Sequence, residues 1–316
     1  MKKVISILLK SAVSVGILVY LFTRIDLGEV WHLFKQVRVS YLIAALGLYL
    51  AGQILCAYRW KVLAGLMDFH NRFREFLLYY FIGMFFNLFL PTSIGGDIGR
   101  CYYLAKESKK TLKAIISVLA DRGAGLVVLI MIAGLSIVMV EGITIPPPLP
   151  AGILTGSTIM FLGLFLPMFA GNYLSRIGDK LGDRLGDKVA LLLTYWRKPV
   201  PLLKSIGISA IFHSMIVMIH ILIGLSLSLT IPWKFYLFLI PLVVGASMLP
   251  ISLSGLGVRE GAYVYFLSLV NVPRAEAMTF AFSWFTIVVI ASLIGGLVFV
   301  GNSLTRSKKT EGSRRL

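Results

Sequence analysis

Two short stretches carry most of the chemistry in a chain that is otherwise mostly hydrocarbon. Residues 88–100, Leu-Phe-Leu-Pro-Thr-Ser-Ile-Gly-Gly-Asp-Ile-Gly-Arg, crowd a proline, two hydroxyls, three glycines, a carboxylate and a guanidinium together directly after the apolar run 76–90. Residues 249–259, Leu-Pro-Ile-Ser-Leu-Ser-Gly-Leu-Gly-Val-Arg, repeat the frame Leu-Pro-x-Ser-x-x-Gly-x-x-x-Arg. Pro91 and Pro250, Ser93 and Ser252, Gly96 and Gly255, and Arg100 and Arg259 each stand 159 residues apart, almost half of the 316-residue chain. Such matches, clustered at the two least membrane-like places, read as an internal duplication. A helix that restarts inside a bilayer presents free N–H groups and the positive end of its dipole. Two such ends, each followed by an arginine, suit a phosphate. The glycines Gly95, Gly96, Gly255 and Gly257 let a ligand or a neighbouring backbone come close. The competing role is structural, with Ser93 and Asp97 capping a helix and Arg100 reaching the inner surface. The matching Arg259 tips the balance toward binding.

Asp121-Arg122 is the third feature. Counted from residue 114 at about 1.5 Å per residue, Arg122 lies roughly 12 Å inside the bilayer. A charge there must face the bundle or a cavity and have a partner. The candidates are Asp97 or Glu260 for Arg122, and Arg100 or Arg259 for Asp121. The alternative is a purely structural ion pair. At an offset of 163 the second half carries Trp284-Phe285 instead. His213 and His220 share a helix face, and with no third ligand nearby they read as packed side chains. The cluster 95–99 lacks the strand and lysine of a nucleotide loop. Cys56 and Cys101 have no metal or redox spacing. No catalytic nucleophile, metal site or cofactor is expected, so the chain reads as transporter-like and not as an enzyme.

The elements that must position these residues follow from composition. With 58% hydrophobic and 14% charged residues and a mean hydropathy of +0.87, an ordinary soluble domain is excluded. Apolar runs near the ~20 residues that span a bilayer predict an all-α polytopic membrane protein forming one integral domain over 1–316. Spans are expected at 4–22, 41–58, 114–140, 151–170, 206–229 and 275–300, about six in all. Residues 27–39 suit the outer interface. Two further segments, 76–105 and 235–269, are each too short for two crossings and are broken by proline and glycine, so each reads as a re-entrant hairpin. Hairpin 76–105 has basic residues at both ends and is entered from the cytoplasm, whereas 235–269 is entered from outside. Repeat 1 covers about 41–140 and repeat 2 about 206–301, related by inversion, a plan common among secondary transporters. Residues 172–204 form an inner amphipathic segment, with Leu174, Ile177, Leu181, Leu185 and Val189 at helical spacing. Residues 302–316 form a basic tail. The net charge of +17 is then positive-inside bias and not a nucleic-acid footprint. By this topology 24 of the 31 Lys/Arg are cytoplasmic, Arg59 and Arg100 among them, and both termini lie in the cytoplasm. The N-terminal run has no cleavage site and stays as a span of the cell membrane.

The motifs together resemble a known family. Pro91-x-Ser93-x-Gly95-Gly96-Asp97-x-x-Arg100, Asp121-Arg122-Gly123 and Ser254-Gly255-Leu256-Gly257-Val258-Arg259-Glu260 are similar to the pattern of the lysylphosphatidylglycerol synthase transmembrane-region family. This is the flippase-like domain of multiple peptide resistance factors and of many stand-alone bacterial and archaeal membrane proteins. The resemblance implies handling of a lipid with an anionic or modified head group, phospholipid or polyprenyl phosphate. The soluble aminoacyl-transferase domain of the resistance factors is expected to be absent. A flippase-like transporter is therefore expected, binding the head group between the hairpins; the alternative is an enzyme or enzyme accessory acting on lipid-linked intermediates. A non-catalytic scaffold is disfavoured by the intramembrane charges. The sequence leaves room for a homo-oligomer.

Overall fold

The computed structural model describes residues 2–89, 95–140, 145–180, 191–249 and 251–314, with side chains described in that set except at 2–8, 107, 167–180 and 302–314. Pro91, Ser93 and Pro250 lie outside the described residues. Every regular element among the described residues is an α-helix. In chain order they are α1 (Lys2–Arg24), α2 (Leu27–Gln36), α3 (Val39–Gly65), α4 (Phe73–Phe89), α5 (Gly95–Ser108) and α6 (Thr111–Met139). There follow α7 (Leu149–Lys180), α8 (residues 191–197), α9 (Pro199–Ser226), α10 (Trp233–Met248), α11 (Val258–Ser268) and α12 (Arg274–Arg314).

Five of these, α3, α6, Leu149–Leu166 of α7, α9 and Arg274–Gly301 of α12, are long and apolar enough to cross a membrane. A sixth span is reached when α1 is counted with α2, from which it is bent by 85°. The bend has a local cause. Asp26 turns the chain and accepts a hydrogen bond from the Gly28 N–H at 2.8 Å, starting α2 anew. The chain is thus an all-helical, multi-pass membrane protein.

Between the spans lie two pairs of shorter helices. α4 and α5 have 17 and 14 residues, and α10 and α11 have 16 and 11. Within each pair the two helices pack on one another, so both broken elements are helical hairpins. Each has its own core. Trp60, Phe76, Tyr79 and Leu104 centre one between α3, α4, α5 and α6, and Phe235, Phe238, Tyr263 and Phe280 centre the other between α10, α11 and α12.

The packing partners form a regular pattern. α3 lies along α9. α4 packs on α12, and α10 packs on α6. α5 packs on α6, and α11 on α12; α3 meets α4 and α6, and α9 meets α10 and α12. The contact of α6 with α9 is matched by that of α12 with α3.

One expectation needs correction: Arg59 and Arg100, which read as cytoplasmic cations, are buried in the bundle. α7 continues as a helix to Lys180 and α12 to Arg314; Leu181, Leu185 and Val189 of the segment expected on the inner surface lie outside the described residues.

Candidate functional site

The first hairpin is built on a glycine contact. A Cβ on Gly96 would fall on the Gly83 carbonyl, so α4 and α5 approach at backbone distance only because both residues lack side chains. The Asn87 side-chain oxygen then accepts a hydrogen bond from the Gly96 N–H at 2.8 Å, satisfying one of the free donors at the start of α5. This orients the first turn of α5, which carries Asp97, and sets Arg100 one turn on.

These side chains belong to one chain of alternating charge. Asp121, 1% exposed, accepts from Arg59 Nε at 2.8 Å and from Arg100 Nη2 at 2.8 Å. Arg59 also donates to Ser209 Oγ on α9 at 2.8 Å. Asp97 accepts Nε and Nη2 of Arg122, each at 3.0 Å, and the weaker Arg100 Nη1 at 3.4 Å. Arg100 lies between the rings of Trp60 and Tyr80, 4.3 and 4.4 Å from their centroids. The order is Arg59–Asp121–Arg100–Asp97–Arg122, joining α3, α5 and α6. Of the two partners expected for each, Asp121 takes Arg100 and not Arg259, and Arg122 takes Asp97 and not Glu260. Three guanidiniums and two carboxylates leave one positive charge, and the least buried member is Arg122, with a side chain 48% exposed.

The second hairpin is arranged differently. Residues 251–257 form turns in which Ser254, Gly255 and Gly257 all take positive φ, and α11 restarts at Val258. Glu260 accepts from the Gly257 N–H at 2.7 Å, satisfying a free donor at the start of α11. Its other oxygen accepts from Arg259 Nε at 3.0 Å and from Nη2. Arg259 therefore pairs with its neighbour and lies over the Phe285 ring at 4.8 Å. Trp284 packs instead against His220 and Tyr49. Aromatic rings thus stand where the first half has Asp121 and Arg122, and the local Glu260 replaces the distant carboxylate. His213 and His220 are held within the bundle, His213 by the Ser209 carbonyl and His220 by the Ile216 carbonyl and the Tyr263 hydroxyl.

The hairpins meet across a groove of about 1000 Å3. One wall is the outer face of α5 with the start of α6; the other is the turn of the second hairpin, with Lys10 of α1 beside it. Asp97, Arg122, Ser252 and Gly255 line it, whereas Arg100, Asp121, Arg259, Glu260, Gly95, Gly96 and Gly257 do not. Much of the wall is exposed apolar surface: Ile98, Tyr102, Leu119, Met248 and Leu249 are each more than half exposed. Ser252 is buried, and its hydroxyl has no hydrogen-bond partner among the described residues. Ser14 of α1 holds the turn by accepting the Leu253 N–H at 2.8 Å, and a Cβ on Gly257 would meet the Ser14 carbonyl at 2.9 Å.

In the sequence Arg59, Lys10, Lys106 and Lys109 read only as positive-inside cations, and Asn87 and Ser14 gave no signal. Arg59 lies six residues before the end of α3, where a cation is ordinarily taken to reach water. Its signal was the neighbouring Trp60, fully buried, which places the same helical turn inside.

Comparison with known proteins bears on this arrangement. The family model described as Lysylphosphatidylglycerol synthase TM region matches residues 7–296. The chain belongs to this family. The match spans both hairpins and reaches from the first span into the last, and it ties the chain to a lipid-related membrane family. No curated protein and no solved structure gives a significant match.

Proposed function

We propose that this chain is a flippase-like lipid transporter that seats the phosphate of an anionic membrane lipid, a phospholipid or polyprenyl phosphate, between its two hairpins. The observation that carries the reading is the groove. Its apolar walls can take acyl chains, while Arg122 and the Ser252 hydroxyl, which has no partner among the described residues, offer donors to a head group. Asp97 holds Arg122 in place until an anion competes for it. In this reading Gly255 lets the head group approach the second turn. Arg100, Asp121, Arg259 and Glu260 act through the positions they fix, with Pro91, Ser93, Gly95, Gly96, Pro250 and Gly257 shaping the breaks.

The two halves are proposed to be inverted repeats. The starts of corresponding helices are 160 residues apart (Val39 to Pro199, Phe73 to Trp233) or 163 (Gly95 to Val258, Thr111 to Arg274). Exchanging α3–α6 with α9–α12 turns each packing contact named above into another of the same set. In a cell membrane with both termini cytoplasmic, the hairpins would enter from opposite faces.

The test uses proteoliposomes carrying NBD-labelled phosphatidylglycerol, with dithionite bleaching to follow transfer between leaflets. Wild type should transfer the anionic probe faster than the phosphatidylcholine probe, and Arg122→Ala should slow it at least tenfold. Transfer of both probes at the rate of empty vesicles would overturn the reading.

A further inference from the structure

One face of α5 runs the length of the groove. Ile98, Cys101, Tyr102, Ala105, Lys106 and Lys109 all line it, at the spacing of three and four that keeps residues on one side of a helix. Asp97 stands at the deep end with Arg122. Lys106 is nine residues further on, about 14 Å along the axis at 1.5 Å per residue. The groove thus has a second polar end at Lys106 and Lys109, and Lys10 of α1 lines the same groove from the opposite wall.

The four lysines of the α5–α6 turn are divided between two jobs. Lys110 donates to the Asp68 carbonyl at 3.3 Å, and Lys113 pairs with the Asp68 carboxylate. The hydrogen bond and charge of Lys113 hold that carboxyl below its ordinary range, so the pair is ionised at neutral pH. Lys106 and Lys109 turn the other way, into the groove. Among the described residues no carboxylate pairs with Lys10, Lys106 or Lys109, and Lys106 has only the Tyr102 ring at 6.0 Å. Cations at a helix C-terminus ordinarily answer its dipole, which accounts for Lys106. It does not account for Lys10, which comes from another helix. Nor does it account for Lys109, which lies past the last turn at φ 55°, where glycine would sit without strain.

We infer that Lys10, Lys106 and Lys109 form a loading station for the phosphate of an inner-leaflet anionic lipid, separate from the Arg122 station and joined to it by the apolar face of α5. The inference rests on reading the groove as the lipid path. Three unpartnered ammoniums supply the charge complement. The exposed Ile98, Tyr102 and Leu119 between the two ends suit acyl chains and make a lipid, not a free phosphate, the occupant. On the positive-inside topology the lysine end faces the cytoplasm, so the groove loads from that side.

The experiment uses the full chain in phosphatidylcholine nanodiscs with spin-labelled phosphatidylglycerol or phosphatidylcholine as the probe. The readout is the motionally restricted fraction of each label. Lys10→Gln should lower the preference for the anionic label about fivefold, the factor expected per basic residue near an anionic surface, and Lys106→Gln with Lys109→Gln about 25-fold. Lys→Arg at the same positions should restore it. Arg72→Gln with Arg74→Gln removes as much exposed charge away from the groove and should leave the preference within twofold. An equal loss in that control, or none in the groove variants, overturns the loading station. So does displacement of the label by millimolar glycerol 3-phosphate, which would make the site a reader of soluble phosphate. If transfer depends on Arg122 while the lysine variants bind as wild type, only the loading station fails. If wild type shows neither preference nor transfer, the groove reading itself fails.

Discussion

Asp121 accepts two guanidiniums in a setting almost without water, so its loss should be the most destabilising single change in the network. Asp121→Asn keeps the shape but leaves Arg59 and Arg100 buried with an uncompensated charge, a defect that costs about 3–5 kcal/mol. The expected outcome is a marked fall in the detergent-solubilised melting temperature. Arg122→Ala removes a half-exposed end of the same chain, and Asp97 keeps Arg100 within 3.4 Å. A loss of about 1 kcal/mol or less is expected there, together with lost transfer of the anionic lipid. Equal melting losses in the two variants would mean that Arg122 is as structural as Asp121. That Asp121 and Arg122 need partners was legible in the sequence because an intramembrane charge demands one, and each true partner was one of two candidates. The third arm, Arg59, was not. A cation near the end of a span ordinarily reaches the head groups, and only the fold turns this one inward. The arginine frame shared by the two motifs was legible as well. That Arg100 and Arg259 face carboxylates and rings while Arg122 faces the groove depends on packing that no spacing reveals.

At the level of the helix pair, glycine decides what can approach what. Gly96→Ala would set a methyl on the Gly83 carbonyl, and a Cβ on Gly295 would likewise strike the Phe81 carbonyl, where α12 packs on α4. Backbone cannot yield as a side-chain tip does, so both substitutions should reduce the yield of monodisperse protein severely. Gly99→Ala on the same helix as Gly96 meets only the Phe86 ring at 3.5 Å, ordinary contact distance, and should fold normally. Size-exclusion profiles of the three variants check this, and a normal Gly96→Ala profile would show that the hairpin tolerates separation. The hairpins themselves were readable, because segments 76–105 and 235–269, broken by proline and glycine, are each too short for two crossings. Which glycines face a ligand and which face another helix was not. Gly95, Gly96 and Gly255 look alike in the motif, yet of these only Gly255 lines the groove.

At the scale of the whole molecule, the proposed duplication makes a claim about sidedness that packing alone cannot make. Thr111 and Arg274 are the first residues of the corresponding helices α6 and α12, and both are exposed. In a parallel repeat they would share one side of the membrane; in an inverted repeat they must lie on opposite sides. The charge pattern favours inversion. Thr111 sits among Lys106, Lys109, Lys110 and Lys113, whereas between Lys234 and Arg274 the one cation is Arg259, paired with Glu260 in the second hairpin. Single cysteines at Thr111 and Arg274, introduced after Cys56→Ala and Cys101→Ala, can be challenged with an impermeant maleimide on intact cells and again after permeabilisation. Arg274→Cys should label in both conditions and Thr111→Cys only after permeabilisation. Labelling of both from outside, or of Thr111→Cys alone, would place the lysine end of the groove on the wrong face. Loading from the inner leaflet would fall with it, even if Arg122 still bound the lipid.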